Sequence, residues 1–267
     1  MPDSLLHRAI DLPSSLLTRR HGAVAILILN RPAKRNALND ETLLGIEAFF
    51  THLPDDVACV VLAAEGDHFS AGLDLSEMGE HDTVSGLKHS RMWHRTLELV
   101  EFGPVPVVCA LRGAVVGGGL ELAAAAHLRV AERSTFYALP EGMRGIFVGG
   151  GASVRVPRLI GVARMADLML TGRRYDAEEG LAIGLSQYVV DDGSGLDHAL
   201  ELATRIAQNA PQTNYAIVQA LPRIAEANPR EGYFMEALMA AIAQGTDDAK
   251  GRMRAFLDGR AEKVTDR

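Results

Sequence analysis

Three consecutive glycines precede an acidic residue in the stretch VVGGGLELAAAAH, residues 115–127. The alanines and leucines that follow favour a helix, whereas each glycine inside a helix costs about 1 kcal/mol. Glycines are useful at a first helical turn because its backbone N–H groups are unpaired, and side chains would keep a ligand away from them. The spacing predicts a turn that binds a ligand oxygen or stabilises an oxyanion, with close packing of a strand-to-helix turn as the alternative.

The usual nucleotide-binding loops do not fit this spacing. In a dinucleotide-binding GxGxxG motif the third glycine would stand at Leu122, and a P-loop would carry lysine where Leu120 follows Gly119. Ser70 lies in HFSAG and not in the GxSxG turn of a hydrolase. The nine histidines form no HExxH and no Cys/His zinc spacing, so we expect no metal.

A second small-residue turn, HFSAGLDLSEM at residues 68–78, directly follows a strand-like run. Its Gly72 would leave the N–H group of Leu73 pointing outward, and two separate backbone donors are the minimum for an oxyanion hole. Two acids accompany these turns, Glu121 one turn into the predicted helix and Glu141 in YALPEGMRG. Each acid by itself fits a charge–dipole or solvated role as well as general acid/base chemistry.

Composition restricts the class of protein. The 267 residues are 48% apolar and 23% charged, as in an ordinary soluble globular protein. The net charge of −7, without a basic run, argues against nucleic acid or an anionic membrane as a partner. No apolar stretch approaches the ~18 residues of a membrane span, and the N-terminus lacks a secretory pattern. Cys59 and Cys109 lie in apolar runs, which predicts buried thiols, with a disulfide or a catalytic thiol as the alternative, and a cytoplasmic protein.

Strands and helices alternate along the first part of the chain, which predicts an α/β fold. Apolar runs at 22–30, 58–66 and 105–113 predict strands covered on both faces. Between the first two, residues 38–53 predict a helix with Asn39 or Asp40 as its cap. Polar residues 76–90 predict a loop that leads into a helix near 87–101.

The chain divides by pattern into two regions. Residues 1–196 predict a mixed α/β core that carries the glycine turns and the acids, and residues 197–267 predict a helical region. In the last predicted helix Thr246 is the expected N-cap, and Gly259 lies near the end.

These motifs together resemble the crotonase superfamily, also called the enoyl-CoA hydratase/isomerase family. The similarity extends over about residues 15–260. Five segments carry it in the order that is typical of the family: NRPAKRNALN (30–39), FSAGLDLSEM (69–78), RGAVVGGGLELA (112–123), ALPEGMRGIFVGGGASVRVPRLIG (138–161) and KGRMRAFLDGR (250–260).

The resemblance implies a fold, an assembly and a chemistry. The fold would be a ββα spiral core with a C-terminal helical trimerisation region, assembled as a homotrimer or homohexamer. The backbone N–H groups of Leu73 and Gly118 would form the oxyanion hole, and Glu121 and Glu141 would be the catalytic acids. The substrate would be an acyl-CoA thioester, and no cofactor would be needed.

By the same resemblance, the chain would be an enoyl-CoA hydratase that adds water across the 2,3 double bond of an enoyl-CoA, or removes it. Isomerisation, CoA hydrolysis and hydratase/lyase chemistry on the same scaffold are the alternatives, with a non-catalytic CoA-binding subunit as a further one. The residues expected to bind CoA and substrate are Lys34, Arg35, Ala37, Ala71, Asp74, Leu75 and Gly117.

Three positions depart from the family pattern. His127 stands where hydratases usually carry an acid, and we expect it to be a cation or cap at the end of its helix, with a changed catalytic neighbourhood as the alternative. Val148 replaces a proline, and Leu73 replaces a small residue. Because of the departures at Val148 and Leu73, the sequence does not predict which acyl chain is preferred.

Overall fold

A computed structural model describes residues 11–76 and 82–260 of the chain. The strands are β1 Leu16–His21, β2 Val24–Leu29, β3 Cys59–Ala64, β4 Val107–Leu111, β5 Ala114–Val116, β6 Leu128–Glu132, β7 Phe136–Ala138, β8 Arg174–Asp176 and β9 Tyr188–Val190. The helices are α1 Asp40–Thr51, α2 Thr83–Glu101, α3 Gly118–Ala125, α4 Ala152–Ile160, α5 Val162–Thr171, α6 Ala177–Ile183, α7 Gly195–Ala207, α8 Pro211–Gln219, α9 Leu221–Glu226, α10 Pro229–Gly245 and α11 Asp247–Leu257.

The main sheet has six strands in the order β1-β2-β3-β4-β6-β9. Only the β1–β2 pair is antiparallel, and the remaining neighbours are parallel. Along β2, Ala25, Leu27 and Leu29 enter one apolar cluster, while alternate residues enter a second cluster with α7. Burial of both faces explains why these strands are continuously apolar instead of alternating. The α/β fold class and the three predicted strands are confirmed.

A smaller sheet with the order β5-β7-β8 carries the glycine turn. Its parallel pairing of Val116 with Ala138 places the end of β5 beside the end of β7. The segment that contains Glu141 therefore begins next to Gly117, although 24 positions separate the two residues in the sequence.

Helix boundaries confirm one predicted start and correct another. Helix α1 begins after Asn39, whose side chain accepts a hydrogen bond from the Thr42 N–H, so Asn39 and not Asp40 is the cap. Helix α2 begins at Thr83, four residues earlier than predicted, because Asp82 caps it through the Ser85 N–H. The polar start of α2 conceals it from a search for apolar periodicity. The first part of the predicted loop, residues 77–81, lies outside the described residues.

The chain forms two compact units, Met1–Ala207 and Gln208–Arg267. Helix α7 packs against the main sheet through Ala199, Leu202 and Ala203 and belongs to the first unit. The predicted division at 196/197 falls in the first turn of this helix. The second unit consists of α8 to α11, and its last helix is capped by Thr246 as predicted.

Two further sequence expectations concern burial and membranes. Cys59 and Cys109 are both buried free thiols, as predicted, and burial raises the pKa of each to about 12. In the part of the chain that the structure describes, no helix combines the length and apolarity that crossing a membrane requires.

Candidate active site

The glycine turn leaves the backbone N–H group at the start of α3 uncovered by side chains. Gly117 adopts φ 53° and ψ −123°, a conformation that is essentially confined to glycine, and it provides no side-chain cap. Gly118 is the first residue of α3, and its N–H group donates no hydrogen bond within the described residues. The positive end of the helix dipole therefore coincides with an available donor.

The second small-residue turn brings another available donor to the same place. A β-bridge between Ser70 and Val115 holds the two turns side by side, and Gly72 has φ 94°. A Cβ atom built on Gly118 would lie 3.3 Å from the Leu73 backbone nitrogen. The Leu73 N–H also donates to no group among the described residues. The structure thus brings together the two N–H groups that the sequence predicted.

Glu121 projects from the first turn of α3 and is only 4% exposed. Its Oε1 atom accepts hydrogen bonds from the backbone N–H groups of Gly150 at 2.8 Å and Ala152 at 3.0 Å. Burial raises the pKa of Glu121, and these two hydrogen bonds oppose that shift. The side chain is held in one orientation by backbone donors that sequence reasoning missed, because only the fold brings residues 150–152 to Glu121.

Glu141 approaches the same site from the turn after β7 and is 7% exposed. Its Oε1 atom lies where a side chain on Gly117 would begin, 2.7 Å from an ideal Cβ position. Its Oε2 atom is buried and has no hydrogen-bond partner among the residues that the structure describes. Burial raises the pKa of Glu141, and the negative charge of Glu121 raises it further. A carboxyl group with a raised pKa and an unused oxygen is suited to carry a proton.

These groups line one cavity of about 230 Å³. Leu73, Gly118, Glu121 and Glu141 meet in its wall, together with Leu75. Trp93 closes one side, because its indole ring occupies the space where side chains on Gly118 or Gly150 would begin. Trp93 is also buried in the main apolar cluster. Val148 lines the same cavity, so this departure from the family pattern lies beside Glu121 and Glu141.

The other predicted binding residues lie beside the cavity and contact one another. The Asp74 carboxylate is buried, and its Oδ2 atom pairs with Arg31 at 2.9 Å and Lys34 at 3.1 Å. The Ser76 hydroxyl donates to Oδ1 at 2.6 Å, and this bond, followed by those from Lys34 and Arg31, lowers the pKa of Asp74. Asp74, which follows the second small-residue turn, thereby connects this turn with residues 31–36 through ion pairs. Sequence reasoning missed Arg31, although it stands in the quoted segment.

The remaining predicted residues support the same two turns. The carbonyl group of Arg35, whose side chain is exposed, accepts a hydrogen bond from the N–H of Ala71 at 2.9 Å. Ala37 and Ala71 are half-buried, and the ideal Cβ position of Gly117 lies 2.7 Å from Glu141 Oε1. No group of three metal-ligating side chains is found among residues 11–76 and 82–260.

The expectation that His127 is a cation or a cap at the end of its own helix is wrong, because its ring contacts the start of β4 and the last residue of α2 instead. Its Nδ1 atom accepts the Val107 N–H at 2.9 Å, and its Nε2 atom lies 3.1 Å from the Glu101 carbonyl oxygen. Burial lowers the pKa of His127 to about 4, so the ring is neutral and binds the last residue of α2. The cation at the end of α3 is Arg129, which is buried and donates to the carbonyls of Ala123 and Ala126.

The fold and the residues around this cavity together identify the superfamily. A ββα core with two backbone donors and two buried acids at one cavity is the arrangement of the crotonase superfamily. Residues 19–267 match the enoyl-CoA hydratase/isomerase family, and the chain belongs to that family.

Individual relatives agree with this assignment. The chain is 31% identical to the short-chain-enoyl-CoA hydratase of Clostridium acetobutylicum, covering 92% of this chain and 96% of that protein. A structure from Rhodopseudomonas palustris, whose own designation as an enoyl-CoA hydratase is provisional, shares 60% identity and a TM-score of 0.91 over 93% of this chain and 96% of that one. The enoyl-CoA hydratase of Bacillus anthracis has 30% identity and a TM-score of 0.87, with 93% and 98% covered.

Proposed function

We propose that this chain is an enoyl-CoA hydratase that adds water across the 2,3 double bond of an enoyl-CoA thioester, or catalyses the reverse dehydration. The observation that carries the proposal is the pair of buried acids, Glu121 and Glu141, at one cavity with the available N–H groups of Leu73 and Gly118. Double-bond isomerisation needs a proton shuttle but no water-activating group. The second acid therefore favours hydration.

The mechanism begins at the thioester oxygen. The N–H groups of Leu73 and Gly118 hydrogen-bond this oxygen and stabilise the negative charge that develops on it, which makes the β-carbon electrophilic. A water molecule attacks the β-carbon as Glu121 accepts its proton, and Glu141 delivers a proton to the α-carbon of the enolate. The two carboxyls form a coupled pair that must hold one proton at the start. Side chains and backbone donors suffice, so the reaction requires no cofactor.

The CoA portion is assigned to the turn at residues 31–36, which is ion-paired to Asp74. Lys34 and Arg35 have exposed side chains there and supply positive charge for phosphate groups. Ala37 and Ala71, which are half-buried and have small side chains, are assigned to ligand contacts beside this turn, and Leu75 lines the cavity.

Assembly and location belong to the same proposal. By family resemblance the C-terminal helices form a homotrimer or homohexamer, and several of their apolar side chains are exposed in the single chain, such as Tyr233, Phe234 and Leu257. Light scattering should give a mass of three or six times 28.7 kDa. A monomeric mass would contradict this part. A cytoplasmic location rests on the two unpaired thiols and is checked by cell fractionation.

The test is an acyl-CoA panel with crotonyl, longer, branched and aromatic enoyl groups, analysed by mass spectrometry. Hydration adds the mass of one water to the substrate, isomerisation leaves the mass unchanged, and hydrolysis releases free CoA. We expect the hydrated product. Tight binding without turnover of any substrate would instead indicate a CoA-binding subunit without catalysis.

A further inference from the structure

The loop at residues 150–152, which donates hydrogen bonds to Glu121, is itself bound by a buried arginine, Arg155. The N–H of Gly150 donates to Glu121, while the carbonyl of the same residue accepts a hydrogen bond from Arg155 Nη1 at 3.0 Å. Arg155 lies on α4 and is buried. A chain of direct contacts therefore leads from the Arg155 guanidinium group through one glycine residue to the Glu121 carboxylate.

Gly150 and Gly151 occupy the whole space between the Glu121 carboxylate and the Arg155 guanidinium group. A Cβ atom on Gly150 would lie 2.8 Å from Glu121 Oε2, and one on Gly151 would collide with Arg155 Nη1. Gly151 also has φ 106°, which side chains rarely adopt. The backbone is thus packed directly against the carboxylate on one side and the guanidinium group on the other.

Arg155 has its own partner, and that partner is held by the unusual histidine. Arg155 Nε donates to Glu101 Oε2 at 2.6 Å. Glu101 is the last residue of α2, and its carbonyl accepts the hydrogen bond from His127 Nε2. His127 Nδ1 accepts from the Val107 N–H at the start of β4, which fixes the ring tautomer. His127 thereby sets where Glu101 meets Arg155.

We propose that Arg155 and Glu101 are positioning residues for Glu121, with His127 fixing Glu101, and that they set the pH range in which Glu121 is ionised. This inference rests on the proposed function only for its kinetic readout. Arg155 holds the loop whose N–H groups orient the Glu121 carboxylate. Its positive charge favours the ionised carboxylate, and the Glu101 charge moderates that effect.

The two partners therefore have opposite electrostatic effects. Removal of the Arg155 charge raises the pKa of Glu121, so activity is lost at a higher pH as the solution is acidified. Removal of the Glu101 charge leaves the arginine uncompensated and lowers the pKa of Glu121, so activity persists to a lower pH. The other charged or titratable groups at this site are Glu141, Arg144, His89 and His94, and none of them is substituted in the two variants. Burial lowers the pKa of His94, and the charges of Arg91 and Arg155 lower it further.

The experiment compares pH–rate profiles of hydration for Arg155→Gln and Glu101→Gln. We expect the acidic limb of kcat/KM to move to higher pH in the first variant and to lower pH in the second. In Arg155→Gln, kcat should fall roughly 10²-fold while KM changes little, because the substrate contacts stay in place. Arg155→Lys should restore the position of the limb more than the value of kcat, since lysine keeps the charge but not the planar pair of donors.

Matched controls are Arg205→Gln and Glu201→Gln, which remove the same charges from an exposed ion pair on α7. Their profiles should equal the wild type. Acidic limbs that stay unchanged, or move in the same direction in both test variants, would overturn the inference. If Arg155→Gln does not fold, Glu101→Gln decides alone, since its amide oxygen still accepts from Arg155 and an unmoved limb would contradict the proposal.

A second readout does not depend on activity. Infrared titration of the Glu121 carboxyl band, in a Glu141→Gln background, should show the same opposite shifts of the Glu121 pKa. If the wild type hydrates no substrate, the proposed function fails while this titration still decides the positioning role. If the wild type is active and the carboxyl titrates identically in all variants, only the positioning role fails.

Discussion

At the scale of single residues, the cavity depends on two glycines, Gly117 and Gly118, whose lack of a side chain leaves space for other groups. The absence of a side chain at Gly117 creates the space that the Glu141 carboxylate fills, and the absence of one at Gly118 makes room for Trp93 and the Leu73 backbone nitrogen. The sequence predicted accessible backbone from the glycine run. It could not predict that Glu141 fills this space, because the contact arises from pairing between β5 and β7.

Gly117→Ala tests this packing. The new Cβ atom would lie 2.7 Å from Glu141 Oε1 in a backbone conformation that alanine resists, so we expect roughly 10²-fold lower kcat and a loss of stability of about 1–3 kcal/mol. Steady-state kinetics and urea unfolding measure the two effects. The control Gly251→Ala, in α11 with open space around it, should keep full activity and gain up to about 1 kcal/mol. Unchanged kcat in Gly117→Ala would contradict the placement of Glu141.

Asp74→Asn tests the ion-paired turn. The lowered pKa of Asp74 means that its stabilising effect is present above the unfolded-state pKa of about 3.9 and is lost as the pH falls through the folded-state value. We expect the variant to lose about 1–3 kcal/mol of unfolding free energy at pH 7, with a smaller difference as the pH falls below 4. Urea unfolding across this range is the measurement. The exposed control Asp55→Asn should show no such dependence, and a constant difference for Asp74→Asn would argue against the pairing.

At the scale of elements, helix α3 connects the proposed oxyanion hole at its first turn with a buried cation at its last turn. Its first turn supplies the Gly118 donor, and Arg129 binds carbonyls at its other end. The sequence predicted the helix and its open start from the alanine-rich run. It predicted the wrong cation, because His127 and Arg129 are both suitable types near the helix end and only the turn into β6 determines which side chain points back.

Arg129→Met tests the role of this cation in the fold. The substitution leaves the buried carbonyls of Ala126 and Leu185 without their donors, at a cost of about 1–3 kcal/mol each. Thermal and urea unfolding should show this loss of stability. Arg112→Met is the matched control, since Arg112 donates to a single carbonyl at a more exposed site. Equal stability of the two variants would show that Arg129 contributes no more than a surface arginine.

At the scale of the whole molecule, three separate stretches of the chain supply the proposed reacting groups: the turn that contains Leu73, the start of α3 and the turn after β7. The apolar runs made the strands predictable, since burial of both sheet faces requires them. The motifs located Leu73, Gly118, Glu121 and Glu141 through short local patterns. The Arg155–Glu101 pair and the donors of residues 150–152 have no local pattern, because α2, α3 and α4 meet only in the folded chain.

The most direct test of the account is hydration of crotonyl-CoA by the wild type, Glu121→Gln and Glu141→Gln, followed by mass spectrometry. The wild type should form a product heavier by one water. Each variant should lose roughly 10²–10⁴-fold in rate, because one loses the group that activates water and the other the group that delivers the proton. A product of unchanged mass, or near wild-type hydration by either variant, would contradict the two-acid mechanism.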